Sequence, residues 1–253
     1  RSELFCEMGI NAGDVKNTYR TGCFCIMNTG EKPVQSKNKM LTTIGYQING
    51  KVNYALEGSV FISGAAVQWL RDQLGIISSA SEIEALAETV ENNGGITFIT
   101  AMAGLGAPYW DPHATASIIG ITRGTEKGHI TRATLEAIAI RTKEIVIAMQ
   151  KDAGITFKSL KVDGGGSTNN LLMQIQSNLL DVNVIRPETT ETTALGAAFF
   201  AGLSSGYWPS LESLSDIWKV NKEFNPIRNK ENKKIIDNWE QRISKMINPK
   251  PNE

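Results

Sequence analysis

Val162-Asp163-Gly164-Gly165-Gly166-Ser167-Thr168-Asn169-Asn170 joins a short apolar run to an amphipathic one through three consecutive glycines. Before it, Leu160-Lys161-Val162 reads as a strand. After it, Asn170-Leu171-Leu172-Met173-Gln174-Ile175-Gln176-Ser177-Asn178-Leu179-Leu180 has the apolar spacing of a helix. Ser167, Thr168 and Asn169 are all residue types that cap a helix N-terminus, so the helix begins among them. Such a start presents free N–H groups and the positive end of the helix dipole, and glycines let a ligand approach the backbone; the junction suits an anion or a nucleoside. The same residues would serve equally well as a tight strand-to-helix turn with no ligand. Two common phosphate-binding patterns are excluded by spacing. No Lys-Ser or Lys-Thr follows at P-loop distance, and the glycines do not form G-x-G-x-x-G.

The whole chain is compatible with one large domain: 253 residues, 41% of them hydrophobic, can bury a sizeable core. Lys and Arg number 26 and Asp and Glu 26, which leaves no net field to draw nucleic acid or an anionic membrane. The three cysteines, Cys6, Cys23 and Cys25, are odd in number and contain no C-x-x-C pair, as expected of reduced thiols in a cytoplasmic protein. His113 and His129 are too few and too scattered to build a metal site or a triad unaided. No apolar run approaches the roughly 20 residues of a membrane span, and the N-terminus has no signal-peptide pattern. Arg1-Ser2-Glu3-Leu4-Phe5 lacks an initiator Met and reads as entering a helix directly, the expectation for a piece of a longer protein.

A helix to about Glu7 is followed by two strands over residues 16–29 around Thr21-Gly22. Residues 41–48 and 51–56 flank Asn49-Gly50, the strongest short-range hairpin signal. The spacing of Val60, Ala65, Val67, Trp69, Leu70 and Leu74 predicts a helix over 59–74 ended by Gly75, and Ser81 with Glu84 predicts a capping box on a second helix. Strands at 96–101 and 117–122 enclose a turn-rich loop, Gly104-Leu105-Gly106-Ala107-Pro108-Tyr109-Trp110-Asp111-Pro112, read as a structural plug rather than an intersubunit surface. A long helix over 129–151 precedes the glycine junction. After it come a strand at 182–186 and a helix at 193–203 whose Ala194, Gly196, Ala197 and Ala198 predict close packing on the helix at 170–180 or on the sheet. The polar C-terminal part ends in an amphipathic helix over about 230–247. Hairpins first and strands alternating with helices afterwards describe an α/β fold, a mixed sheet with helices on its faces.

Several stretches together resemble the C-terminal half of the FGGY family of carbohydrate kinases. They are Lys16-Asn17-Thr18-Tyr19 with Thr21-Gly22-Cys23-Phe24, then Met27-Asn28-Thr29-Gly30-Glu31-Lys32, Val52-Asn53-Tyr54-Ala55-Leu56-Glu57-Gly58 and Gln68-Trp69-Leu70-Arg71-Asp72. The loop at 104–112, Arg132-Ala133-Thr134-Leu135-Glu136, Val162-Asp163-Gly164-Gly165 and Thr193-Ala194-Leu195-Gly196-Ala197-Ala198 complete the set, and residues 116–136 are similar to the family's general signature. The segments at 21–24 and 108–112 point to the family's glycerol-phosphorylating branch.

The resemblance implies that residues 1–253 are the nucleotide-binding lobe of a two-lobed, actin-like and ribonuclease-H-like ATPase, with the N-terminal lobe absent from this chain. It implies ATP and glycerol as substrates, Mg²⁺ held mostly by the absent lobe, a homo-oligomer when intact, and no nucleic-acid or membrane partner. Carried over by position, Thr21 is similar to the residue that reaches the terminal phosphates, Gly64 and Gln68 to nucleotide contacts on the first helix, and Gly165 and Asn169 to the residues against adenine and ribose. Phe24 is similar to the apolar wall of the glycerol site. No catalytic or metal-binding residue is expected within the chain, because the family's general-base Asp, in a Gly-Asp-Gln motif, would come just before Arg1; the fragment alone is expected to be inactive. Arg20 departs from the pattern, which usually has Gly there, and either adds a phosphate contact or points to solvent. Each assignment has a plainer counterpart: Thr21 a hairpin residue, Gly64 a close-packing position, Gln68 a solvent-facing side chain, Phe24 ordinary core. The alternatives at the level of function are the same lobe of another FGGY sugar kinase, or a nucleotide-binding module without chemistry.

Overall fold

The computed structural model describes residues 2–6, 9–215 and 217–247. Helix α1 (Ser2–Cys6) precedes four antiparallel strands, β1 (Val15–Tyr19), β2 (Cys23–Gly30), β3 (Leu41–Ile48) and β4 (Lys51–Val60). Glu7, the expected end of the first helix, lies outside the described residues. Asn49 and Gly50 both take positive φ, 51° and 79°, the backbone a two-residue hairpin needs to follow the twist of its strands. Helices α2 (Gly64–Asp72) and α3 (Glu82–Ala87) come next, then β5 (Thr97–Ile99) and β6 (Ser117–Ile119), which pair only with each other. The long helix α4 (Lys127–Ala153) leads to β7 (Ser159–Asp163), a single 3₁₀ turn (Gly165–Thr168), α5 (Asn170–Leu180), β8 (Asn183–Pro187), α6 (Thr192–Ser205), α7 (Glu212–Ser215), β9 (Val220–Phe224) and α8 (Lys230–Ile247).

Seven strands form one mixed sheet in the order β3-β4-β2-β1-β7-β8-β9, with β1, β7 and β8 parallel and every other neighbouring pair antiparallel. Strand alternation divides the side chains between two faces. Cys23, Cys25 and Met27 turn to the large core with α4 and α5, while Ile26 turns to the other face and meets Leu4 of α1. Covering both faces explains why all five residues of β1 are buried, Lys16 and Asn17 among them. The Lys16 ammonium lies 3.2 Å from the Asp163 carboxylate in a pair almost wholly removed from water, and Thr18 and Thr192 also hydrogen-bond to this pair. That pair ties β1, the end of β7 and the first residue of α6 together. The three cysteines are buried and none is in a disulfide, and burial pushes the Cys23 and Cys25 thiols up, away from the reactive thiolate form.

Three readings are corrected. Residues 59 and 60 continue β4 rather than opening a helix, because Cys23 and Phe24 pair with Val60 and Ser59; α2 starts only at Gly64. Ser81 and Glu84 make no capping box: Ser81 is itself in helical conformation, and Glu84 Oε1 accepts instead from the backbone N–H of Leu171, so it caps α5 from across the fold. Of the two expected partners α5 is not the one: the small-residue helix α6 packs on α1, with Phe5 and Phe200 stacked at 4.3 Å and Phe199 buried in a cluster that includes Tyr46 of the sheet strand β3. Gly196 is buried there, whereas Ala194, Ala197 and Ala198 are exposed. The C-terminal helix runs over the expected residues, but β9, whose residues other than Phe224 are exposed, gave no strand signal.

Candidate functional site

The carboxyl ends of the parallel strands β1, β7 and β8 reach the same edge of the sheet, the place where open α/β sheets bind ligands. A cleft of about 640 Å³ lies there, within the roughly 300–1,000 Å³ typical of small-molecule sites. Beyond β1 come Arg20 and Thr21, beyond β7 come Gly165, Gly166, Thr168 and Asn169, and beyond β8 comes Glu191. The other wall is built by α2 and α3 with Gly64, Val67, Gln68, Arg71, Ile83 and Glu84, and its apolar floor by Leu135, Ile138 and Leu172.

The three glycines separate into distinct physical cases. Gly164 has φ +80°, and a Cβ there would lie 2.5 Å from the Tyr19 carbonyl oxygen; both facts demand glycine. A Cβ on Gly166 would lie 2.8 Å from the Tyr19 Cβ. Gly165 is different: its φ is ordinary and a Cβ would meet nothing within 4 Å, because the position opens onto the cleft. Tyr19, which sets the other two, is held in turn by its hydroxyl donating to Gln176 Oε1 at 2.7 Å. Arg186 braces the turn from behind, donating to the Ser167 carbonyl and the Asn170 side chain. Asn169 is the N-cap of α5, its Oδ1 accepting from Leu172 N at 2.7 Å, and it also lines the cleft. Of the three candidate caps only Asn169 caps; Ser167 and Thr168 close the 3₁₀ turn, each donating its hydroxyl to the carbonyl three residues back.

The β1–β2 turn is clamped to α2. Gly64 N donates to the Arg20 carbonyl, and Ser63 N and Ala65 N to that of Thr21, at 2.9–3.0 Å. The orphan N–H groups of this helix start are thereby used within the protein, not offered to an anion. Gly64 is needed for that clamp, since a Cβ would sit 2.6 Å from the Arg20 oxygen. Gln68 is exposed on α2 and lines the cleft. Arg20 lines the cleft with its guanidinium donating to Glu191 at 2.7 Å. Arg71 is paired with its neighbour Asp72.

Thr21, Gly64, Gln68, Gly165 and Asn169 thus surround one cavity. Phe24 stands apart from its lining, 44% exposed on β2 opposite Thr18 and Ser59. Sequence reasoning passed over Arg71, Ile83, Glu84 and Glu191 as wall residues. Glu84 carried a signal, but one that suggested a local cap; Glu191 carried none. Among the described residues no group of three His, Cys, Asp or Glu side chains comes together to hold a metal ion, and no helix is long and apolar enough to cross a membrane.

Residues 15–205 match the C-terminal domain of the FGGY family of carbohydrate kinases. The chain belongs to that family. This FGGY chain is 52% identical over 248 residues to glycerol kinase 2 of Thermotoga maritima, covering 98% of itself and 50% of that protein. It is 52% identical over 246 residues to the glycerol kinase of Deinococcus radiodurans, covering 97% and 49%. The chain therefore spans about half the length of the curated FGGY relatives it matches. Its structure is similar to that of Plasmodium falciparum glycerol kinase solved with ADP, at TM-score 0.91 and 38% identity, over 97% of this chain and 49% of that one. A xylulose kinase from Lactobacillus acidophilus, 18% identical at TM-score 0.82, shares the actin-like, ribonuclease-H-like fold.

Proposed function

We propose that the chain is the nucleotide-binding lobe of a glycerol kinase, which transfers the terminal phosphoryl group of ATP to glycerol to give glycerol 3-phosphate and ADP. The observation that carries this reading is Gly165: the one glycine of the junction that neither backbone angle nor packing requires, on the surface of a nucleotide-sized cleft. A side chain is missing where the protein itself has room for one, which fits a surface reserved for a flat ligand. The likeness to glycerol kinases at about half identity, one of them solved with ADP at a lower identity, supplies the substrate class.

In this reading the adenine lies against Gly165 over the floor of Leu135, Ile138 and Leu172, and Asn169 turns its amide to the sugar while its oxygen caps α5. Gln68 reaches the nucleotide from α2, and the Thr21 hydroxyl meets the phosphate chain from a turn whose backbone the α2 clamp immobilises. Fixing these groups before the ligand arrives is what positioning contributes to phosphoryl transfer. The general base, the ligands of Mg²⁺ and most glycerol contacts are assigned to the half of the relatives that this chain does not span; Phe24 is assigned to the apolar side of the glycerol site. The part derived for this lobe is the binding and orientation of the nucleotide. The intact enzyme is proposed to be a cytoplasmic homo-oligomer.

Gly165→Val in the full-length protein tests the reading. It should raise the Michaelis constant for ATP at least tenfold while leaving that for glycerol and the unfolding midpoint unchanged, because the added side chain enters only the cleft. Equal ATP constants for variant and wild type would refute it.

A further inference from the structure

The rim of the cleft carries an ion pair that the fold does not require. Arg20, on the β1–β2 turn, and Glu191, just before α6, lie 171 residues apart in sequence, yet the Arg20 Nη2 donates to Glu191 Oε2 at 2.7 Å. Both side chains are exposed, 47% and 69%, and both line the cavity. An exposed pair of this kind holds the fold together weakly. Each backbone, by contrast, is anchored. The Arg20 N–H donates to the Gly22 carbonyl and its own carbonyl accepts from Gly64, while Thr192, adjacent to Glu191, is hydrogen-bonded to the buried Asp163. Glu191 is also the N-cap residue of α6 but its carboxylate makes no capping bond; it is given to Arg20 instead.

The other cation on the wall, Arg71, is neutralised by Asp72, and Glu84 is held by Leu171 N, which leaves Arg20 and Glu191 as the exchangeable charges of the rim. A guanidinium is a planar fork that takes a carboxylate or a phosphate with the same geometry. We propose that Arg20 and Glu191 form a latch across the phosphate end of the cleft, in which the nucleotide's phosphate chain displaces the Glu191 carboxylate and takes Arg20 as its own partner. This rests on the nucleotide site proposed above. Glu191 then acts as a built-in competitor: it lowers the affinity for phosphate-bearing ligands and leaves the nucleoside part untouched.

The test is titration calorimetry on the full-length protein with ATP, ADP and adenosine. Arg20→Ala should weaken ATP and ADP by about 5- to 20-fold, the size of a partly exposed charge-assisted contact, with adenosine unchanged. Glu191→Gln should tighten ATP and ADP by about 2- to 5-fold, again with adenosine unchanged, and should have no effect in an Arg20→Ala background. Arg20→Lys, which keeps the charge but not the fork, should recover only part of the loss. An ATP-to-adenosine affinity ratio that none of these variants moves overturns the latch while leaving the nucleotide site standing. So does an equal loss for ATP and adenosine, which would mean that the pair merely shapes the rim. If wild type binds neither adenosine nor ATP, the nucleotide site itself falls, and the latch with it.

Discussion

The cleft rim and the aromatic loop at 104–112 are both irregular and both rich in unusual residues, but they differ in where their polar groups go. In the loop the polar groups of Tyr109 and Trp110 are consumed by the fold, the indole N–H donating to the Lys39 carbonyl. Tyr109 donates its hydroxyl to Glu144 Oε1 at 2.5 Å, the same oxygen accepts from Trp239 Nε1 at 2.7 Å, and Arg141 pairs with Glu144 while donating to the Ala107 carbonyl. Burial and the neighbouring Glu144 charge push the Tyr109 hydroxyl well above its ordinary pKa, so it remains a donor at any physiological pH. The loop is a plug that joins α4 to α8. At the rim, Gly165 opens onto the cleft, Gln68 and Thr21 line it, and the ion pair Arg20–Glu191 is exposed. Residues whose peculiarity the fold does not use are the ones to assign to a ligand.

The sharpest way to break this contrast is Glu144→Ala. It strips three donors of their acceptor and leaves the Arg141 guanidinium, only 2% exposed, without its carboxylate. A loss of roughly 3–5 kcal/mol in denaturant unfolding is expected, with no change in nucleotide affinity beyond that due to the unfolded fraction. An unchanged midpoint would show that the plug is ornamental.

Glu136 sharpens the contrast from the buried side. Burial raises its carboxyl to about 7, only partly offset by Asn93, which donates to it at 2.6 Å, and by Arg132 at 3.4 Å. A carboxyl whose folded value lies above its unfolded one binds its proton more tightly in the native state. Its favourable contribution is therefore complete below about pH 4.5 and is lost as pH rises through 7. The wild type should lose up to about 3 kcal/mol relative to Glu136→Gln between pH 4.5 and pH 8. Parallel stability curves for the two proteins would mean that the native carboxyl titrates normally.

Within the glycine junction the contrast narrows to neighbouring residues. Gly166→Ala drives a methyl to 2.8 Å from Tyr19 Cβ and should cost about 1–3 kcal/mol, whereas Gly165→Ala should cost little. Thermal melts of the two variants side by side decide it, and equal losses would remove the argument that Gly165 is spared by the fold.

These contrasts also explain what was legible in the sequence. Period-two and period-3.6 patterns, Asn49-Gly50, and the strand-glycine-helix junction report local geometry, and the elements they predict are present: α5 spans Asn170–Leu180 and α8 spans Lys230–Ile247. Errors arose where a distant partner outweighed a local preference. The Gly58-Ser59-Val60 segment is recruited into β4 by the waiting β2, against a helical pattern that begins in earnest only at Gly64. Glu84 looked like a local cap and serves α5 instead. The helix at Thr192–Ser205 announced close packing but not its partner, α1, nearly 190 residues earlier in the chain. Glu191 was invisible because a lone acidic residue in a polar loop has no period and no motif; only the fold brings it to Arg20.

The smallest expected effect separates two duties that one side chain combines. Asn169 caps α5 through Oδ1 and borders the cleft, so Asn169→Ala should both destabilise by about 1 kcal/mol and weaken ATP by up to about tenfold. Asn169→Ser pulls the two apart. Serine restores an acceptor at the N-cap, where it is nearly as good as asparagine, but has no amide to offer a ligand. The expected result is a melting temperature close to wild type with the ATP affinity still reduced. Should Ser restore both properties, the amide does nothing beyond capping, Asn169 joins Glu144 on the structural side, and Gly165 is left to define the nucleoside subsite with the cleft floor.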